Sequence, residues 1–197
     1  MAGEALFACA HGAGGHKDDA AMLRLAAALE PRGFEVVRFN FPYREKGSRR
    51  IDPMPVLKKA FSDEVLSLKE KQGGKPLVIG GRSMGGRVAS MLVAEGFECD
   101  GLLLAAYPLH PAGQPEKLRD AHLPAIRCPV LCFSGTRDPL CTRELMDRAL
   151  AKVKAPWTQH WIEGADHSFK VLKSSGRTAA EVDAELGEAA ARWLAEL

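Results

Sequence analysis

Leu77-Val78-Ile79-Gly80-Gly81-Arg82-Ser83-Met84-Gly85-Gly86-Arg87 joins an apolar, strand-like run to a helix-like run through the pattern Gly-x-Ser-x-Gly. A turn this sharp forces the serine into strained backbone angles. Only small residues two positions to either side let the strand and the helix approach without clashing, and Gly81 and Gly85 supply them. The five-residue pattern alone is met by many unrelated Gly-Ser turns; the strand before it and the helix after it are what make it a nucleophile elbow.

Outward from this elbow the chain alternates short apolar runs with longer segments of helical period, the pattern of βα units whose parallel strands are buried on both faces. Six strands are expected, over residues 6–10, 35–39, 77–80, 101–106, 130–134 and 159–162. Met22, Leu25, Ala26 and Leu29 repeat at helical spacing, with Asp18 or Asp19 as cap and Gly33 beyond the end. Leu57, Phe61, Val65 and Leu68 mark a second helix, closed by Gly73-Gly74, and a third runs from the Ser83 turn to about Gly96. A fourth covers residues 142–153, and a last one opens at Thr178 with a capping box, Thr178-Ala179-Ala180-Glu181. The fold class is therefore α/β: a three-layer sandwich around a mostly parallel sheet of about six strands, for which the order 2-1-3-4-5-6 is the expectation. Segments 42–55, 107–129 and 168–177 resist assignment. Each follows the carboxyl end of a strand, where open parallel sheets bind their ligands.

A serine hydroxyl needs a base to take its proton, and the base needs a carboxylate to hold its tautomer and stabilise its charged form. After the fifth strand comes Gly135-Thr136-Arg137-Asp138-Pro139, and after the sixth comes Gly164-Ala165-Asp166-His167-Ser168-Phe169. Asp138 and His167 are the candidate partners of Ser83. Asp166, next to His167, has little freedom to reach the ring and reads as a turn former; His11, His16, His110, His122 and His160 are less well placed. Backbone donors for an oxyanion are expected from Met84, at the start of the helix, and from Ala13 in His11-Gly12-Ala13-Gly14-Gly15 after the first strand. That glycine turn lacks the Lys-Ser/Thr ending or Gly-x-Gly-x-x-Gly spacing of a phosphate cradle. With strands one and three adjacent, the glycine turn and the elbow share a crevice, and Gly12, Arg82 and Tyr107 are the candidate substrate contacts.

The whole-chain properties agree. A length of 197 residues suits one domain, residues 1–197, with 46% hydrophobic and 26% charged residues. A net charge of +2, with basic residues scattered, argues against nucleic acid as a partner. The N-terminus, Met1 to Cys9, lacks a secretion-signal pattern, and no run approaches membrane-spanning length. Five cysteines without framework spacing read as reduced thiols, pointing to the cytoplasm, and no pair has the tight spacing of a metal site, so neither metal nor cofactor is expected. Nothing in the sequence speaks to oligomeric state.

The blocks His11 to Gly15, Gly80 to Arg87, Gly135 to Asp138 and Asp166 to Phe169 resemble the α/β-hydrolase superfamily. More narrowly they resemble a compact group that includes a regulatory subunit of the non-specific lethal histone acetyltransferase complex and a testis-expressed protein. The resemblance implies ester or related acyl hydrolysis through an acyl-enzyme, with Ser83, Asp138 and His167 at the triad positions; it implies no particular substrate. Segment 107–129 is too short for a full helical lid, so a shallow site for small or exposed acyl substrates is expected. Arg44, Lys46, Arg49, Arg50, Arg82, Arg137 and Lys170 lie on loops at that end. They suit an anionic substrate less well than a solvated surface. Thioesterase and peptidase readings share the same machinery. The rival from another class is a protein–protein interaction module that keeps the fold with little activity.

Overall fold

The computed structural model describes residues 5–70 and 72–197, so the first four residues of the stretch read for a secretion signal lie outside it. Six strands form one sheet: β1 (Ala5–Ala10), β2 (Phe34–Phe39), β3 (Leu77–Arg82), β4 (Gly101–Ala105), β5 (Val130–Gly135) and β6 (Trp157–Ile162). Their order is β2-β1-β3-β4-β5-β6, with every neighbouring pair parallel. This is the expected α/β-hydrolase topology.

Alternation along the strands divides the core in two. Leu6, Ala8 and Ala10 of β1 face one side with Ile79, Leu102 and Leu104, while Phe7 and Cys9 face the other with Val78, Leu103, Leu131 and Phe133. Helices α1 (Ala20–Leu29) and α6 (Ala179–Leu194) cover the second face through Met22, Leu25, Leu29, Val182, Leu186 and Trp193. The short helix α2 (Pro42–Glu45) precedes α3 (Met54–Lys69), which covers the first face with α4 (Met84–Ala94) and α5 (Arg143–Leu150) through Leu57, Phe61, Val65, Val88, Leu92 and Met146. The inner strands β1, β4 and β5 are buried along their full length, as strands covered by helices on both faces must be.

The caps follow the sequence closely. Asp19 caps α1, its Oδ1 accepting from the N–H groups of Ala21 and Met22 at 3.0 and 2.9 Å. Both arms of the α6 capping box are present: Thr178 Oγ1 accepts from Glu181 N–H at 3.2 Å, and Glu181 Oε2 from Thr178 N–H at 2.6 Å.

Three differences from the sequence reading have physical causes. β3 continues two residues beyond Gly80, because Gly81 and Arg82 still pair with Ala10 of β1 and Ala105 of β4. β6 begins at Trp157, which pairs with Val130. Segment 42–55 holds α2 and the start of α3, since Pro42 occupies the first helical position, where its missing N–H costs nothing. Segment 107–129 is irregular apart from a single 3₁₀ turn, Leu123–Ala125. All five cysteines are free, and Cys99 and Cys128 bring their sulfurs to 3.8 Å although 29 positions apart in sequence. Among the described residues no helix is long and apolar enough to cross a membrane.

Candidate active site

The site grows from the carboxyl ends of β1, β3, β5 and β6. At the end of β3 the chain turns at Ser83, whose φ of 50° and ψ of −113° lie outside the regions open to ordinary side chains. The strain is held by contacts on both sides: Ser83 N–H donates to Ala105 O at 2.8 Å, and Ser83 O accepts from Arg87 N–H at 3.0 Å. Ser83 sits at the N-cap of α4, yet its hydroxyl makes no capping bond. An ordinary N-cap serine would turn that oxygen onto the helix; here it is aimed elsewhere.

It is aimed at His167. Ser83 Oγ lies 2.9 Å from His167 Nε2, and His167 Nδ1 lies 2.7 Å from Asp138 Oδ2. The carboxylate can only accept, so Nδ1 carries the hydrogen and Nε2 is left to accept from the serine hydroxyl. Asp138 is anchored in turn, its Oδ1 accepting from Leu140 N–H at 2.8 Å while its side chain is fully buried.

The loops carrying these groups are bound to each other. A Cβ placed on Gly135, at the end of β5, would stand 2.3 Å from Ala165 O, so glycine is what lets the Asp138 and His167 loops meet. Arg137 N–H donates to Ala165 O at 2.9 Å. Asp166 Oδ1 accepts from Ser168 and Lys170 N–H at 2.8 and 3.0 Å, closing the turn that presents His167, and Phe169 takes a φ of 57° within it.

The glycine turn after β1 approaches from the other side. His11 is fully buried; its Nδ1–H donates to Gly12 O at 2.8 Å and its Nε2 accepts from Phe41 N–H at 3.2 Å. Burial lowers its pKa, which keeps the ring neutral and able to play both parts. His11 therefore holds the turn in shape, a role its position before the glycines did not reveal. Gly15 N–H closes the turn on Gly12 O at 3.1 Å. Ala13, Met84 and Ser83 line one cleft of roughly 340 Å³, and among the described residues neither Ala13 N–H nor Met84 N–H is committed to another group.

The three residues expected to touch substrate do not line this cleft. Tyr107 follows β4 directly and is wholly buried, its hydroxyl donating to Arg119 O at 2.6 Å. Gly12 lies against Ser83, where an added Cβ would be 3.3 Å from Ser83 Cβ. Arg82 points away from the cleft, its Nη2 donating to His167 O at 2.9 Å and Ser168 Oγ at 3.2 Å, so it braces the histidine loop. The basic loop residues also stand apart: Lys46, Arg49, Arg50, Arg137 and Lys170 are exposed. The charged side chains that do line the cleft are Asp52, Arg87 and Arg119, none of which the sequence singled out. Arg87 was within reach of sequence reasoning, one helical turn beyond Ser83; Arg119 and Asp52 belong to irregular segments.

The elbow tolerates no side chain at its glycines. At Gly81, with φ of 146°, a Cβ would stand 2.1 Å from Ala10 O, and at Gly85 2.3 Å from the same oxygen. Gly81→Ala combines a forbidden φ with a backbone collision, so a loss of roughly 3 to 5 kcal/mol is expected. At Gly113, φ is 68° with nothing within 4 Å, so Ala there is expected to cost only about 1 to 2 kcal/mol. Denaturant midpoints of the two variants check this, and equal losses would contradict the close approach of Ala10 of β1 to Gly81 of β3.

A family model described as "Alpha/beta hydrolase domain" matches residues 3–195. Solved structures share the architecture. An α/β serine hydrolase homologue from Coxiella burnetii superposes with a TM-score of 0.75 at 19% identity, over 95% of this chain and 84% of that one. Est1E from Butyrivibrio proteoclasticus with ferulic acid bound gives 0.76 at 16% identity, over 99% and 91%. A lidless α/β serine hydrolase from Xanthomonas campestris gives 0.73 at 20%, over 98% and 84%.

Proposed function

The chain belongs to the alpha/beta hydrolase domain family, and from that membership we propose that it is a serine hydrolase, carboxylesterase-like, acting on small or exposed acyl substrates. The observation that carries the reading is the continuous relay from Ser83 Oγ to His167 Nε2 at 2.9 Å and from His167 Nδ1 to Asp138 Oδ2 at 2.7 Å. A structural histidine has no need of a strained serine at one nitrogen and a buried carboxylate at the other.

In this mechanism His167 Nε2 takes the hydroxyl proton as Ser83 Oγ attacks the carbonyl carbon, and Asp138 stabilises the imidazolium. The N–H groups of Ala13 and Met84 receive the oxyanion, Met84 with the help of the helix N-terminus. Collapse of the tetrahedral species expels the alcohol oxygen, which leaves with the proton from Nε2, and an acyl-enzyme remains on Ser83. Water then repeats the sequence, giving up a proton to His167 and releasing the acid.

The modest cleft and the absence of a helical covering over residues 107–129 favour short acyl groups; a marked preference for long-chain over short-chain p-nitrophenyl esters opposes that part. The narrower kinship with the compact group resembled in sequence belongs to the same proposal, as does a cytoplasmic location. A purely protein-binding role would leave the aligned relay without a purpose. The decisive experiment is labelling with a fluorophosphonate. Wild type should be modified at Ser83 and Ser83→Ala should not; an unlabelled wild type opposes the reading.

A further inference from the structure

The cleft in front of Ser83 contains two guanidinium groups that the mechanism does not use. Arg87 stands one turn along α4, and Arg119 enters from the irregular segment after β4. Arg87 Nε is buried with no hydrogen-bond partner among the described residues. Arg119 donates from Nη1 to Pro108 O at 3.3 Å, which leaves most of its five-donor fork uncommitted. Burial first, and then the charge of Arg87, hold the Arg119 pKa below the ordinary arginine value, so the two cations are close enough to oppose one another.

Unpartnered donors and mutually repelling cations in a partly desolvated wall are costly unless something supplies negative charge. Asp52 supplies some of it. It lines the same cleft, and its Oδ2 is likewise buried with no partner among the described residues. Two guanidiniums against one carboxylate leave the charged lining one positive charge in excess. That excess matches a singly charged carboxylate and fits a dianionic phosphate monoester poorly, because Asp52 repels the second charge. The rest of the wall is apolar, with Met54, Leu57 and Leu140 facing the ligand space.

We propose that the cleft selects esters bearing a carboxylate, which Arg87 and Arg119 hold while Ser83 attacks the scissile carbonyl. The proposal rests on the serine hydrolase reading and names its substrate class. The carboxylate can belong to the acyl half or to the alcohol half of the ester, and matched pairs separate the two. For the acyl half the pair is p-nitrophenyl hemiadipate and its neutral methyl ester; for the alcohol half it is para-acetoxybenzoate and its methyl ester.

In one of the two pairs, wild-type kcat/KM should favour the anion by about tenfold or more. The ratio should fall by about the same factor in Arg87→Gln and in Arg119→Gln, recover in part in Arg87→Lys, and rise in Asp52→Asn. A merely structural arginine would lower both members of a pair together and leave the ratio intact. Should Arg119→Gln fail to fold, Arg87→Gln and Arg87→Lys decide. Monomethyl adipate should also slow fluorophosphonate labelling of wild-type Ser83, and should do so far less in Arg87→Gln. Ratios at or below one in both pairs overturn the proposal, as does labelling that monomethyl adipate leaves unchanged when the acyl-half pair is the favoured one, and either result leaves a labelled Ser83 hydrolase in place. Absence of both labelling and turnover removes the underlying reading as well.

Discussion

Ser83→Ala is expected to lower kcat by about 10⁶-fold on any ester the protein turns over, equivalent to roughly 8 kcal/mol of transition-state stabilisation. The size follows from the role of one atom. In the proposed mechanism Oγ is both the attacking group and the partner of His167 Nε2 at 2.9 Å, so its removal eliminates the acyl-enzyme route. What remains is water attack assisted by the Ala13 and Met84 N–H groups and by binding in the cleft. With Oγ gone, His167 Nε2 loses the hydroxyl it stands 2.9 Å from and is placed to deprotonate. The same logic makes the residues non-additive: Ser83→Ala combined with His167→Ala should lose little more than either alone, since each removes the whole relay. Steady-state kcat on short-chain p-nitrophenyl esters measures all three variants. A loss below tenfold in Ser83→Ala would point to a different nucleophile.

The parts of this molecule that were legible in sequence are those dictated by local chemistry. Gly81 and Gly85 announce the elbow because a Cβ at either position would stand 2.1 or 2.3 Å from Ala10 O of the neighbouring strand β1, so no larger residue fits. The six parallel strands follow from alternating apolar runs and helical periods, and the Thr178-x-x-Glu181 box from two backbone donors that need acceptors. Asp138 and His167 were recoverable because each lies on the short loop after a strand, where sheet geometry fixes the direction of the chain.

The cleft wall was not recoverable in this way. Segment 107–129 takes its path from distant contacts, such as Tyr107 hydroxyl to Arg119 O at 2.6 Å and His110 N–H to Leu140 O at 3.0 Å. No period or turn signal encodes these. Tyr107 therefore read as a substrate contact when it is buried outside the cleft lining, and Arg119 went unnoticed although it lines the same cleft as Ser83. Arg82 shows the converse. Its place next to Ser83 suggested a substrate contact, but the alternation of β3 turns it to the opposite side, onto the His167 loop.

Asp138→Asn is expected to lower kcat by about 10⁴-fold while leaving the fold intact. The wild-type carboxylate accepts from His167 Nδ1–H at 2.7 Å and from Leu140 N–H at 2.8 Å, with its side chain fully buried. Asparagine has nearly the same shape but only one accepting end. If its oxygen keeps the Leu140 bond, its NH₂ faces Nδ1, the imidazole must move its hydrogen to Nε2, and the ring then points a donor at Ser83 where a base is required. If its oxygen faces Nδ1 instead, two donors confront each other at Leu140 out of reach of water, at a cost of about 1 to 3 kcal/mol. The first placement therefore prevails, and in either one no negative charge remains to stabilise the imidazolium. Because volume and the Leu140 contact are preserved, the melting temperature should stay near that of wild type, which separates this variant from Asp138→Ala, where Leu140 N–H also loses its acceptor. Measured kcat alongside thermal unfolding tests the argument. A loss below tenfold would shift the carboxylate role to another residue, and the nearest in sequence to the histidine, Asp166, already holds the N–H groups of Ser168 and Lys170 at 2.8 and 3.0 Å, so the turn that presents His167 would have to open first.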